Sequence, residues 1–290
     1  MNTPNLITLR VWGDLACFTR PEMKVERVSY PVMTPSAARG ILEAIFWEPQ
    51  MYYLIDSIRV VKRGRWISIR RNEVTKVISM DNAQDWMGGK KPVIPIIAGA
   101  GAETDGTQRN MLALQDVEYL ITAEVRLTPL AQPPRDNLGK YLREIEGRAC
   151  AGKCFHRPGL GMREFAADFE WEPDPEAALA RRAAELQQRA TINEDLGLML
   201  YDVFDPGARE AGFRWLAEEE LAQQAAAFEQ TLVEVKKGEQ TKRRKDFAAS
   251  RLRSTSAPLK PQPVFFKARL QDSRLDCHPN RVLAPAQGGN

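Results

Sequence analysis

Four cysteines and two histidines are the residues of this 290-residue chain best suited to ligating a transition metal, and their spacing argues against it. Cys150 and Cys154 form a half-site at most. His156 and His278 are the only histidines, Cys17 and Cys277 lie far off in sequence, and no second cysteine pair completes the ligand set of a structural zinc. The same thiols are too few and too scattered for a disulfide framework, so reduced cysteines are expected. The second chemical feature is charge. Between Lys236 and Arg253 eight lysines and arginines face only Glu239 and Asp246, with Lys242, Arg243, Arg244 and Lys245 at the centre. Such a run either guides a nucleic-acid strand along its phosphates or is a solvated linker. Net charge is only +3, so affinity for a polyanion has to come from local clusters of this kind rather than from a broad positive field.

The rest of the composition narrows the class. Hydrophobic residues make up 43% and charged residues 27%, as in ordinary globular proteins, and the length suits one elaborated domain or one domain with a small appendage. No stretch approaches the ~20 apolar residues of a membrane span, and the N-terminus lacks a basic-then-apolar signal pattern, so a cytoplasmic protein without membrane contact is expected. A metabolic enzyme finds no support in a phosphate-binding glycine loop, a metal set or a nucleophile triad.

Periodicity then supplies the elements. Leu6 to Trp12 reads as a strand ending at Gly13-Asp14. Thr34 can cap a helix with Pro35 at its first position, and Ala38, Ile41, Leu42 and Ile45 form its apolar stripe up to Pro49. Strands are expected at Leu54 to Val61, Ile67 to Ile78 and Glu118 to Leu127, with glycine-rich loops or a hairpin end between the last two. Asn137 can cap a second helix with Leu138, Tyr141, Leu142 and Ile145 on its buried face. The order fits an α+β fold of the ferredoxin-like kind, an antiparallel sheet with helices on one face. Asp174 to Ala190 and about Ala208 to Lys237 read as long helices of an added arm, the second stopped by Gly238, before a last strand near Val264 to Leu270.

Three segments carry a resemblance. They are Arg10-Val-Trp-Gly-Asp14 continuing through Cys17 to Tyr30; Met33-Thr-Pro-Ser-Ala-Ala-Arg-Gly-Ile-Leu-Glu-Ala-Ile45 with Trp47 and Pro49; and Gly152-Lys-Cys-Phe-His-Arg-Pro-Gly-Leu-Gly-Met-Arg-Glu-Phe165. Asp195 to Asp202 and Pro263 to Arg269 extend it. Together they resemble the "protein five" family of CRISPR-associated RAMP proteins, in its subtype I-C branch. The resemblance implies an RRM-like RAMP domain over residues 1–170 with a loop or hairpin insertion. It also implies a C-terminal region over residues 171–290 with a small β part, the final strand and a helical insertion at about 205–260. It implies partners as well: CRISPR RNA through its 5′ handle and repeat stem-loop, the backbone and large subunits of a type I-C Cascade, and target DNA. Members are associated with cutting the repeat transcript without metal or cofactor and keeping the 5′ handle.

That chemistry needs a group to help deprotonate the 2′-hydroxyl, a cation for the phosphate and an acid for the leaving 5′-oxygen. The family pattern, a tyrosine near the end of the first helix and a Lys-His pair opening the second, falls here on Phe46 and on Lys140-Tyr141. Lys140 is the candidate for the phosphate, or else a solvated lysine. Tyr141 is a proton handler or a packed residue, and His156 an imidazole from the neighbouring loop, an RNA contact or a loop cap. Lys24, Arg27, Arg39, Arg148 and Arg163 are phosphate candidates or surface charges paired with Glu22, Glu43 and Glu164. Phe46, Trp47, Tyr52 and Tyr53 are stacking surfaces or core. Two readings stand side by side: a metal-independent endoribonuclease that caps the 5′ handle, and a non-catalytic RNA-capping subunit of the same kind of complex.

Overall fold

The computed structural model describes residues 5–74, 77–96, 106–128, 131, 134–185, 191–204, 235–237, 240–242 and 262–283. Strand β1 (Leu6–Ala16) buries Ile7, Leu9 and Val11 on its inner face. It continues past Gly13, where the sequence suggested a turn. A Cβ at Gly13 would come within 2.6 Å of Leu160 Cδ1 and 2.8 Å of the Ala166 carbonyl. The glycine therefore marks a close crossing of the 160–166 segment over a continuing strand. After a two-residue strand β2 (Arg27–Val28), helix α1 (Pro35–Ile45) starts as expected, with Thr34 Oγ1 accepting the Ala37 N–H at 3.2 Å and Pro35 in the first turn.

Strands β3 (Met51–Lys62) and β4 (Arg65–Val74) run end to end along one side of the 22-residue β5 (Gly106–Leu127). The break between them is Gly64, at φ +81°, whose Cβ would meet the Gln115 carbonyl at 2.8 Å. Opposite, Asp116 takes φ 59° and accepts from Lys62 Nζ at 2.9 Å. The expected strand to Ile78 stops at Val74, and a short helix α2 (Met80–Met87), capped by Ser79 and without a buried residue, follows. Helix α3 (Leu138–Cys150) is capped by Asn137 Oδ1 on the Lys140 N–H at 2.9 Å and buries Tyr141, Ile145 and Ala149.

The remaining elements are β6 (Asp168–Trp171), α4 (Pro175–Glu185), β7 (Glu194–Phe204), β8 (Val235–Lys237), β9 (Gln240–Lys242), β10 (Gln262–Gln271), β11 (Arg274–Asp276) and α5 (Pro279–Val282). The described strands form a main sheet of order β6-β1-β5-β3-β11-β10-β7, with β2 and β4 also on β5, and its pairings are antiparallel except β2 with β5. The fold is α+β with a predominantly antiparallel sheet, and α1 and α3 pack side by side.

The helical arm is present in part. Asp174 Oδ1 caps α4 through the Ala177 N–H at 3.0 Å, and Ala178 is buried against Val61 and Leu120. The second expected helix fails at its end. Val235–Lys237 pairs with Gln240–Lys242 in an antiparallel ladder, Lys237 opposite Gln240. Val235–Lys237 is thus strand and not the last turn of a helix, while the expected stop at Gly238 lies outside the described residues. The earlier part of that expected helix, residues 208–234, lies outside the described residues.

Candidate active site

The end of α1 and the body of α3 meet at Phe46. Its N–H closes α1 on the Leu42 carbonyl at 3.0 Å, and its own carbonyl accepts the Tyr53 hydroxyl at 2.9 Å. The ring is only 5% exposed, lies 6.3 Å from that of Tyr141 and is covered by the Arg148 guanidinium at 5.2 Å. Phe46 and Tyr53 are therefore core residues, and the stacking role considered for them is corrected: no ring face is left for a base.

Lys140 stands on the first turn of α3. Its Nζ lies 3.4 Å from Asp136 Oδ1, 3.6 Å from Glu48 Oε2 and 4.8 Å above the Tyr141 ring, with about a third of the side chain (33%) exposed. Tyr141 is fully buried and donates its hydroxyl to Asp136 Oδ1 at 2.9 Å. Burial, then the bonds and negative charge of Asp136 and Glu48, push that phenol well above its ordinary pKa. His156 is exposed on the loop after α3, its N–H on the Ala44 carbonyl at 2.9 Å and its ring edge-on to Phe155 at 4.5 Å. The structure thus brings Lys140, Tyr141, Phe46 and Arg148 into one cluster. His156 reaches it through the main chain at the end of α1.

The phosphate candidates divide. Arg39 is a strut: Nε and Nη2 donate to both oxygens of Asp202 on β7 at 2.8 and 3.1 Å, and Nη1 donates to Glu43 at 2.6 Å. Three of its five N–H donors are thus taken by carboxylates. Arg27 donates to Met162 Sδ at 3.5 Å and lies 3.9 Å from Glu73, while Arg148 pairs with Glu144 at 3.8 Å and keeps a buried Nε without a hydrogen-bond partner. Lys24 and Arg163 are exposed with no ion pair among the described residues, and Trp47 is exposed just past the end of α1. Lys242 is described in its backbone alone, and Arg243, Arg244 and Lys245 lie outside the described residues. All four cysteines are free thiols. Sequence reasoning missed Asp136 and Glu48, the carboxylates that hold Lys140. Spacing offered one signal: Asp136 precedes Lys140 by four residues.

A predominantly antiparallel sheet with two packed helices, one of them opening on a carboxylate-held lysine, defines the class as an α+β protein with a polar cluster at a helix start. Comparison narrows it. The family described as CRISPR-associated protein (Cas_Cas5) matches residues 6–239. A protein of Mannheimia succiniciproducens named CRISPR pre-crRNA endoribonuclease Cas5d is 43% identical over 211 residues, covering 72% of this chain and 90% of that protein. A Thermus thermophilus protein of the same name is 42% identical over 211 residues, covering 72% and 79%. A crystal structure described as a CRISPR-associated protein is similar at 20% identity and a TM-score of 0.43, over 68% of this chain and 79% of that one. The chain belongs to the Cas5 family of CRISPR-associated proteins.

Proposed function

We propose that the chain is an endoribonuclease that cuts the repeat transcript of CRISPR RNA and then holds the 5′ handle as a subunit of a type I-C Cascade. The names of its relatives at 43% and 42% identity support the reaction class. The observation that carries the site is Lys140, an ammonium held at a helix start by two carboxylates yet one-third open to solvent. In this reading the RNA 2′-oxygen attacks the adjacent phosphorus, the bond to the 5′-oxygen breaks, and a 2′,3′-cyclic phosphate and a 5′-hydroxyl result. Lys140 neutralises the charge that builds on the phosphate. His156, whose imidazole is exposed, exchanges the proton with the leaving or attacking oxygen. Tyr141 positions Lys140 from within the core rather than touching RNA. Lys24, Arg163 and the Lys242 to Lys245 run take phosphates of the RNA, the last extending to target DNA.

The capping-only reading has one observation in its favour. The hydroxyls nearest the Phe46 ring are already committed, that of Tyr141 to the buried Asp136 carboxylate and that of Tyr53 to the Phe46 carbonyl. One experiment separates the two. Purified protein is incubated with its repeat RNA in EDTA, and the products are tested for a 2′,3′-cyclic phosphate end. Cleavage is expected, slowed at least about a hundredfold by Lys140→Ala, with RNA affinity changed far less. Tight binding without any cut in the wild type would leave only the capping role.

A further inference from the structure

Phe155 is the most exposed aromatic side chain among the described residues, with 76% of its surface open. The backbone beneath it is held at several points. Gly152, at φ +64°, ends α3 with the Lys153 N–H on the Arg148 carbonyl at 2.9 Å. The N–H groups of Phe155 and His156 both donate to the Ala44 carbonyl at 2.9 Å. Beyond them, the Ala167 N–H reaches the Pro158 carbonyl at 2.9 Å and the Cys17 N–H reaches Leu160 at 3.0 Å. Gly161, at φ +84°, passes so close to the Cys17 carbonyl that no side chain fits between them. The ring is thus carried outward by a fixed main chain, and its one aromatic neighbour, His156, meets it edge to face at 4.5 Å.

Two of the residues flanking it in sequence are cations. Lys153 and Arg157 are exposed, as is His156, and Arg157 is paired with the exposed Asp168 at 2.7 Å, a contact weak enough to yield to a phosphate. An apolar partner would find few apolar neighbours on this loop. A polyanion with flat, unpaired bases finds both things it needs: a π face that stacks any base, and cations spaced for the flanking phosphates.

We propose that Phe155 is the stacking surface for one unpaired nucleobase of the RNA, with Lys153 and Arg157 on the adjoining phosphates. This rests on the RNA-processing reading above and adds the residue that grips the strand next to the α1 end of the site. The test uses repeat RNAs that each carry 2-aminopurine at one unpaired position, with wild type, Phe155→Ala, Phe155→Leu and Phe155→Trp. One RNA changes fluorescence when wild type binds. Ala and Leu lose that signal and weaken affinity about tenfold, Trp keeps both, and single-turnover cleavage at saturating protein changes less than affinity does. Leucine keeps the apolar bulk without the π face, so wild-type affinity and signal in Phe155→Leu would overturn the proposal. It is equally overturned if Phe155→Ala binds RNA normally but no longer co-purifies with partner subunits, since the ring then docks on protein. Failure of the wild type to bind repeat RNA at all removes the underlying reading as well, an outcome distinct from an effect confined to Phe155.

Discussion

Lys140 is held by three neighbours of different kinds: the carboxylates of Asp136 and Glu48 and the ring face of Tyr141. Tyr141 in turn hangs from Asp136 by its hydroxyl, so Asp136 joins the two. Tyr141→Phe removes a buried donor to a carboxylate and is expected to cost about 1–3 kcal/mol in urea denaturation. Cleavage should stay within a few-fold of wild type, because Glu48 and the ring remain. A large loss of cleavage at unchanged stability would instead make the phenol a proton handler. With its pKa raised by burial and by two carboxylates, Tyr141 contributes no limb to the pH profile near neutrality. Much of this was readable beforehand. The three-and-four spacing put Tyr141 on the buried face of its helix and Lys140 beside it. Asp136 was marked only by its four-residue spacing from Lys140, since a carboxylate just ahead of a cap otherwise resembles any solvated turn charge. Nor was the tie of Arg39 to Asp202, 163 residues away, because nothing local marks it.

Elements were legible where their ends are made by their own residues. Thr34 and Asn137 cap α1 and α3 with side chains three residues from the amides they bind, and both helices fall where their apolar stripes put them. The first half of β5 was missed. Gln108, Arg109 and Asn110 carry no apolar alternation, and pairing with β4 is what makes them a strand. β7 was missed for a related reason: Gly197, at φ +72°, sits where its register against β10 shifts. The docking of α4 also depends on distant partners. Glu118 on β5 is 2% exposed and holds Arg10 of β1 at 2.7 Å and Arg182 of α4 at 2.6 Å. Burial raises its pKa, but the hydrogen bonds from Arg182 and Arg10 outweigh this and leave it below the usual carboxylate range. A carboxyl lowered in the folded state stabilises fully above its unfolded pKa, and the contribution fades as pH falls through the folded value. Glu118→Gln should therefore cost about 3 kcal/mol at neutral pH. The gap from wild type should narrow only below about pH 4, as read from urea midpoints across a pH series. A gap independent of pH would mean that packing, not charge, is lost.

At the scale of the whole molecule, the last described strands close the sheet. β11 lies on β3, with Arg274 opposite Arg59, and Asp56 fastens it by accepting from Arg274 at 3.1 Å and Arg281 at 2.7 Å. β10 adds to β11, and among the described strands β7 pairs with β10 alone. This order has a consequence for synthesis. A chain emerging N-terminus first completes β1, β3, β4 and β5 early, and these pair among themselves as they appear. β7 emerges with no strand to pair with, and the free side of β3 stays open until residues 262–276 leave the ribosome. Arg39 on α1 waits with it, since Asp202 is on β7. A chain cut after residue 261 should consequently aggregate or be degraded rather than persist as a smaller folded unit, and co-expressing residues 262–290 as a separate peptide should restore soluble protein. A soluble, cooperatively unfolding truncation would refute that order. The protein is a late finisher: the part of the sheet read most easily from sequence is made first, and it stays unsealed until β10 and β11 have been translated.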